Sequence, residues 1–422
     1  MNRRDLLKGF AGGAALIGAG LPVLPARAAV SGADLKFIFV FNNGGWDPTR
    51  VFTDTFSNAN VDMEPLAERA SRGGVQWVSH PARPSVDTFF QTHHNNMLVV
   101  NGMLVRSISH QICTMISLTG STSGFSPDWP AAIAAAAADR YTLPHLVLGG
   151  PSFPGDLGVA VARSGFNGQL EGLLSGSILG QSDTPVGTLT SPYLGAIDRY
   201  LQQRASARAA SAGGAIDAAL ATTYQDALNK AVDLKDFRYV MDFTGGADLS
   251  SQGQVAADAL SSGLSRCVTL GFGGQGGLGW DSHANNDETQ SQLFEDLFVS
   301  LGQLMSTLQN TPGENAATLA EETVVVVLSE MGRTPQLNAT LGKDHWPYTS
   351  AMLLGPNLTT DRVIGSLDNG YYGEEIDLQT GDVTSSGRNL SAEALGATLL
   401  QMADIDPKDF INDADPIEGI LA

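Results

Sequence analysis

The chain has 422 residues, with 24 Lys and Arg against 44 Asp and Glu and a formal charge of −20. That length suits one large α/β domain or two smaller ones, while the acidity and the lack of any Lys/Arg cluster beyond the N-terminal segment exclude a nucleic-acid partner. Two cysteines, Cys113 in a helical pattern and Cys267 in a strand pattern, exclude a disulfide scaffold and read as two buried thiols.

In chain order, Asn2-Arg3-Arg4-Asp5-Leu6-Leu7-Lys8 is a twin-arginine signal, followed by a Gly/Ala-rich apolar run from Phe10 to about Leu24 and a small-residue cleavage site at Ala26-Arg27-Ala28. Residues 1–28 are therefore expected to be a signal peptide, and 29–422 an exported chain, periplasmic or secreted. Arg3, Arg4, Lys8 and Arg27 leave with that segment, so the mature chain is more acidic still. The apolar run is too short and glycine-rich to span a bilayer, and no later segment reaches 18 uninterrupted apolar residues, so no integral membrane segment is expected.

Lys36 to Asn42 reads as a strand buried on both faces, and further strands are predicted at Met97–Asn101, His145–Leu148, Arg266–Phe272, Thr323–Leu328 and Ala351–Leu354. Helical patterns lie between them, at Ala131–Arg140 and at Asp287–Gln309, where Leu293, Leu297, Leu301 and Leu304 recur at helical spacing. This alternation predicts a mostly parallel central sheet flanked by helices. One region departs from it: Ser191–Arg208, Gly214–Phe237 and Gln252–Ser265 are helix after helix, which predicts a helical insertion over about 189–265.

Ligand crevices of open α/β sheets lie beyond the carboxyl ends of the strands, so the polar residues after each strand carry the chemistry. After Thr323–Leu328 come Glu330, Arg333 and, past a short loop, Asp344-His345. After Arg266–Phe272 comes Asp281-Ser282-His283, whose spacing lets both side chains leave one face of an extended segment and converge on an ion. Nitrogen and carboxylate ligands together suit zinc or another borderline divalent ion. Gly271-Phe272-Gly273-Gly274-Gln275-Gly276 has the glycine spacing of a dinucleotide-binding turn, but no helix pattern opens at its third glycine, so no nucleotide cofactor is expected.

Four motifs in order, Phe41-Asn42-Asn43-Gly44-Gly45-Trp46-Asp47-Pro48-Thr49, Ser109-His110-Gln111-Ile112-Cys113, Gly279-Trp280-Asp281-Ser282-His283 and Ser329-Glu330-Met331-Gly332-Arg333 with Lys343-Asp344-His345-Trp346, resemble the bacterial domain-of-unknown-function family 1501 over nearly the whole mature chain. That family resembles the alkaline phosphatase and sulfatase superfamily, which implies an alkaline-phosphatase-like three-layer sandwich and hydrolysis at a phosphate or sulfate ester, including glycan esters. The resemblance places one metal on Asp281, His283 and His345, with Asp344 beside them. A second metal would fall to Asn42 or Asn43 and to Glu330-Met331; methionine there cannot replace a histidine ligand, so this second site is expected to be lost unless Glu330 and Asp47 rebuild it. The nucleophile region holds Ser107 and Ser109, and His110 reads as a base or a further ligand. Cys113 lacks the Cys-x-Pro-x-Arg context of a formylglycine sulfatase. Arg333 is expected to offset charge on the reacting ester.

These residues point to an exported metal-dependent hydrolase. The competing expectation is a non-catalytic cell-envelope protein that keeps the fold and one metal and binds a protein or glycan partner.

Overall fold

The computed structural model describes residues 30–164, 191–237 and 248–422. The twin-arginine segment and its cleavage site lie outside the described residues, as do residues 189–190 and 238–247 of the expected helical insertion. The elements used below are β1 (Lys36–Phe41), β2 (Glu68–Arg72), β3 (Val75–Ser79), α1 (Pro84–His93), β4 (Met97–Leu104), α2 (His110–Thr119), α3 (Trp129–Ala135), β5 (His145–Val147) and β6 (Val161–Arg163). They continue with α4 (Ser191–Ala210), α5 (Ala215–Phe237), α6 (Leu249–Ser261), β7 (Cys267–Gly271), α7 (Asn286–Asn310), β8 (Thr323–Leu328), β9 (Gly332–Arg333), β10 (His345–Trp346), β11 (Tyr348–Leu354), β12 (Arg362–Ile364) and α8 (Ala392–Met402).

Eight strands form one sheet in the order β12-β4-β11-β8-β1-β7-β5-β6. Every pairing is parallel except the two made by β11. The central strands β1 and β8 are buried at all six positions, in the register Lys36 to Thr323 through Phe41 to Leu328. Because side chains alternate across a strand, Phe37, Phe39 and Phe41 join one core with residues of α2, α3 and α8, while Ile38 and Val40 join a second core with residues of α1, α6 and α7. Helices thus cover both faces of a mostly parallel sheet, as the alternation predicts. Each such side chain contributes about 1.5–3 kcal/mol by leaving water. The charge at the start of β1 is also matched: Lys36 is fully buried and donates to Glu322 at 2.6 Å.

Ala351–Leu354 is a strand, but it runs against its neighbours. β8 ends at the carboxyl edge, and the β9–β10 ribbon turns the chain back at that same edge. The next strand must therefore descend. The β2–β3 hairpin escapes sequence reading because Glu68–Arg72 is mostly exposed and carries no apolar alternation.

Within the helical region, α6 differs from its neighbours. Asp248 caps it by accepting from Ser251 N, and Leu249, Ala256, Ala257 and Leu260 are buried in the sheet core. By contrast, residues 213–220 are exposed throughout.

Candidate metal centre

The strands that run one way deliver their following loops to one edge. Glu330 follows β8, Asp281 and His283 follow β7, His110 opens α2 after β4, and His345 lies in β10 just before β11 begins. Asp281 is placed by its neighbour. Trp280 is fully buried against Trp46 and Phe294, its Nε1 donates to Phe272 O at 2.9 Å, and its carbonyl accepts from Gln290 Nε2 at 2.9 Å. The next side chain in an extended segment then turns the other way, toward solvent.

His283 is held by the loop that carries His345. Its carbonyl accepts from Thr340 Oγ1 at 2.8 Å and Asn338 Nδ2 at 3.1 Å. The approach is so close that a Cβ on Gly342 would lie 1.9 Å from the His283 carbonyl carbon, which explains a glycine there.

Three imidazoles meet at one carboxylate oxygen. Asp281 Oδ1 lies 3.3 Å from His110 Nε2, 3.1 Å from His283 Nε2 and 3.2 Å from His345 Nε2, and the last two nitrogens are 3.0 Å apart. The opposite ring nitrogens are all engaged. His110 Nδ1 is 2.8 Å from Glu330 Oε1, His283 Nδ1 is 2.8 Å from Asp344 Oδ1, and His345 Nδ1 is 2.8 Å from Ile108 O. A carbonyl or carboxylate oxygen only accepts, so each Nδ1 carries a proton and each Nε2 faces Asp281. Nε2 atoms that carry no proton would set lone pairs against an anionic oxygen and repel one another unless a cation lay among them. Buried His110 Nε2 has no hydrogen-bond partner. Imidazoles fixed through Nδ1 by a carboxylate or carbonyl are how metal-binding histidines are oriented, and ligands about 2.0–2.2 Å from zinc stand a little over 3 Å from one another. The residues present therefore fit a divalent ion. His110, Asp281 and His345 have ligand atoms mutually within 4.8 Å, and His283 adds a fourth donor to Asp281 and His345.

Charge at this cluster is set from beneath. Burial works against the ionised form of Asp281, but Arg333, whose Nη2 is 2.7 Å away, outweighs it and holds the carboxyl at about 2. The hydrogen bond that His110 donates to buried Glu330 raises the pKa of His110, against a smaller opposing effect of burial.

The other expected site residues fall elsewhere. Glu330 is fully buried and accepts from Gly44 N at 2.8 Å and from Ser329 Oγ at 3.0 Å as well as from His110; it stands behind a ring nitrogen, and Asp344 stands likewise behind His283. Arg333 is fully buried and donates to the carbonyls of Gly44, Gly45, Trp280 and Lys343 in addition to Asp281. Its guanidinium is committed to tying three loops together, which corrects the expectation that it meets the ester. Asp47 does not reach the cluster. It caps the turn at Pro48–Arg50, and its carboxylate is spent on Lys343 Nζ at 2.9 Å, Asn286 Nδ2 at 2.8 Å and Thr49 Oγ1 at 2.7 Å. Burial opposes its charge, yet Lys343 and Arg50 hold its pKa well below the carboxylate range. Asn43 sits exposed in the turn after β1, and Asn42 is buried with its amide on Leu328 O at 3.2 Å. Neither Asp47 nor Asn43 joins Glu330 in a second ligand set. Ser109 is exposed at the N-cap of α2, one residue before His110, and its side chain makes no cap bond. The Ile108 carbonyl and the Gly44 amide escaped the sequence reading because backbone groups leave no residue signal.

With this geometry in place, sequence comparison assigns the chain: it belongs to the family described as "Protein of unknown function (DUF1501)", whose model matches residues 34–415. No curated protein sequence matches it. Solved structures with a similar layout include the lipoteichoic acid synthase LtaP from Listeria monocytogenes, 10% identical over 92% of this chain and 77% of that one, with a TM-score of 0.42. The phosphonate monoester hydrolase of Agrobacterium radiobacter is 11% identical over 91% of this chain and 77% of that one, with a TM-score of 0.38. The PsFucS1 sulfatase from Pseudoalteromonas sp. is 10% identical over 92% and 72%, with a TM-score of 0.34.

Proposed function

We propose that this protein is an exported metal-dependent hydrolase acting on a phosphate or sulfate ester of a small molecule or glycan. The observation that carries the reading is the convergence of three Nε2 atoms on Asp281, each ring fixed from behind. Asp281, His283 and His345 would hold one divalent ion, zinc being the first candidate from two nitrogens and a carboxylate. Such an ion, when bound, polarises an ester oxygen and lowers the pKa of a coordinated water.

The chain's own residues supply the proton handling. His110 Nε2 accepts the proton of the attacking hydroxyl, from water or from exposed Ser109, and Glu330 keeps that imidazole in the tautomer that can do so. Arg333 positions Asp281 and keeps it ionised. Asp344 and the Ile108 carbonyl orient His283 and His345.

The competing reading, a non-catalytic envelope protein with a structural metal, draws support from the closeness of His110. Four protein ligands close a zinc site, whereas three leave a position for substrate. His110→Ala separates the two. Retained metal with lost hydrolysis makes His110 the base of an enzyme; lost metal makes it the fourth ligand of a closed site. The primary test is elemental analysis of protein exported by its own signal, with a screen of phosphate and sulfate esters. One equivalent of metal and hydrolysis of at least one ester class are expected. Absence of stoichiometric metal, with unchanged melting in His283→Ala and His345→Ala, would sink the proposal.

A further inference from the structure

Each loop that brings a residue to the metal centre also carries an exposed aliphatic side chain that the chemistry above does not use. Ile108, 58% exposed, lies two residues before His110, and its own carbonyl holds His345. Leu341, 61% exposed, pairs through its backbone with Ala284, the residue after His283, and its carbonyl accepts from Asn286 N at 2.8 Å. Leu278, 38% exposed, stands three residues before Asp281 in the glycine-rich turn after β7. Leu341 has a further peculiarity: its φ is +57°. A bulky side chain is strained in that left-handed conformation, where Gly or Asn would not be, and an exposed leucine recovers nothing by burial. Strain of this kind gathers at ligand-binding sites.

We infer, resting on the reading of the centre proposed above, that the ester it takes carries a single negative charge and an apolar alcohol, as in an alkyl or aryl sulfate or a phosphate diester of such an alcohol. Ile108, Leu278 and Leu341 flank the ligands from three separate segments, so an ester held at Asp281 brings its alcohol group among them. Apolar surface that meets an apolar substrate leaves water with it, which supplies binding without any charge.

Charge sets the other half of the inference. The segments around the centre, 42–47, 105–111, 272–286 and 329–347, contain three Lys and Arg residues, Arg106, Arg333 and Lys343. Arg333 and Lys343 are fully buried and held by Asp281, backbone carbonyls and Asp47. Arg106 gives both Nε, at 2.8 Å, and Nη2 to Glu393 Oε1. Asp344, by contrast, is exposed beside His283. Three carboxylates, Asp281, Glu330 and Asp344, stand formally against the one guanidinium of Arg333, an excess of two that a divalent ion balances and does not exceed. A second anionic group on the substrate therefore meets no free cation in these segments and, within a chain of −20, is repelled. This disfavours multiply sulfated glycans, and also phosphate monoesters, whose second ionisation is at about pH 6.

The test is calorimetric titration of the exported protein with methane-, butane- and octanesulfonate, singly charged ester mimics that cannot be hydrolysed. Each buried methylene strengthens binding by up to about fourfold, so octanesulfonate is expected to bind at least tenfold more tightly than butanesulfonate, with a more negative heat-capacity change. Leu341→Asn combined with Ile108→Ser should flatten that dependence at unchanged metal content, and Leu341→Asn, freed of strain, should melt no lower than wild type. Turnover of 4-nitrophenyl sulfate against 4-nitrophenyl octyl phosphate then separates the two ester classes. Equal affinity for the three sulfonates in a protein that holds metal and hydrolyses esters overturns the inference and leaves the hydrolase reading standing. So does tighter binding of a disulfated disaccharide, or a chain-length dependence that survives in the double variant. A protein that holds no metal and binds none of these ligands overturns the inference together with the reading beneath it.

Discussion

At the scale of single residues, the centre is built from two kinds of acid that sequence alone cannot separate. Asp281 faces the imidazole nitrogens directly, whereas Asp344 and Glu330 face the far sides of two rings. A carboxylate behind a ligand tunes its orientation and basicity, so its loss weakens metal binding by about tenfold to a hundredfold without abolishing it. Asp344→Asn is therefore expected to lower affinity by that range in a competition titration against a chromogenic chelator. Under the proposed ligand set, His283→Ala and His345→Ala should lose the ion altogether, and His80→Ala, whose ring bonds to Pro65 O away from the cluster, should retain it. Equal affinity in Asp344→Asn and wild type would remove Asp344 from the centre.

At the scale of elements, a buried ion pair fixes the loop that brings His345 to the site. Lys343 and Asp47 are both fully buried, and Lys343 O also receives Arg333 Nη1. Removing one member of such a pair strands a buried charge, at a cost of about 3–5 kcal/mol. Lys343→Met should lower stability by that amount in urea unfolding, and pairing it with Asp47→Asn should recover part of the loss. A second element carries a pH dependence. His145 in β5 is fully buried, its Nε2 lies 2.8 Å from Thr269 Oγ1, and burial pushes its pKa down to about 4. The folded state thus refuses a proton that the unfolded chain takes up near 6.5. Stability is complete above pH 6.5 and falls as the pH drops toward 4, by up to about 3 kcal/mol. His145→Gln should flatten this part of the profile, read as the difference between unfolding free energies at pH 7 and pH 4.5 in the two proteins. An identical slope would show that other groups set the acid response.

At the scale of the whole molecule, the proposed metal would be coupled to folding. The proposed ligands arrive from β7 and its loop and from the β9–β10 ribbon, and His110 comes from α2, segments that only the folded chain brings together. A ligand that binds only the native state raises its stability, so under the proposal a chelator should lower the melting temperature of wild type and leave His283→Ala unaffected. The proposed export belongs to this scale as well. Arg3→Lys combined with Arg4→Lys is expected to hold the protein in the cytoplasm, as assayed by fractionation; undiminished export would place it on the general secretory route. Among the described residues no helix is long and apolar enough to cross a membrane.

The sequence by itself determined the layered architecture and pointed to the edge at which Asp281, His283 and His345 lie. Runs such as Thr323–Leu328 and Lys36–Phe41 are apolar at nearly every position because both their faces are buried, and that pattern is local, hence readable. Asp281 and His283 were legible for the same reason, since two residues of spacing on an extended segment already put them on one side. What lay beyond reach depended on contacts between distant segments. The reversed direction of β11 follows from where the β9–β10 ribbon returns the chain. The difference between Asp47, tied to Lys343, and Asp281, open to the imidazoles, is a difference of neighbours 296 and 64 positions away or nearer in space than in sequence. Arg333 looked like a substrate-facing cation because its charge is visible in the sequence, while the carbonyls that consume its donors are backbone atoms common to every residue. Only the tertiary structure decides which polar groups are left for a ligand, because hydrogen bonds are allotted among atoms that folding, and not spacing, brings within 3 Å.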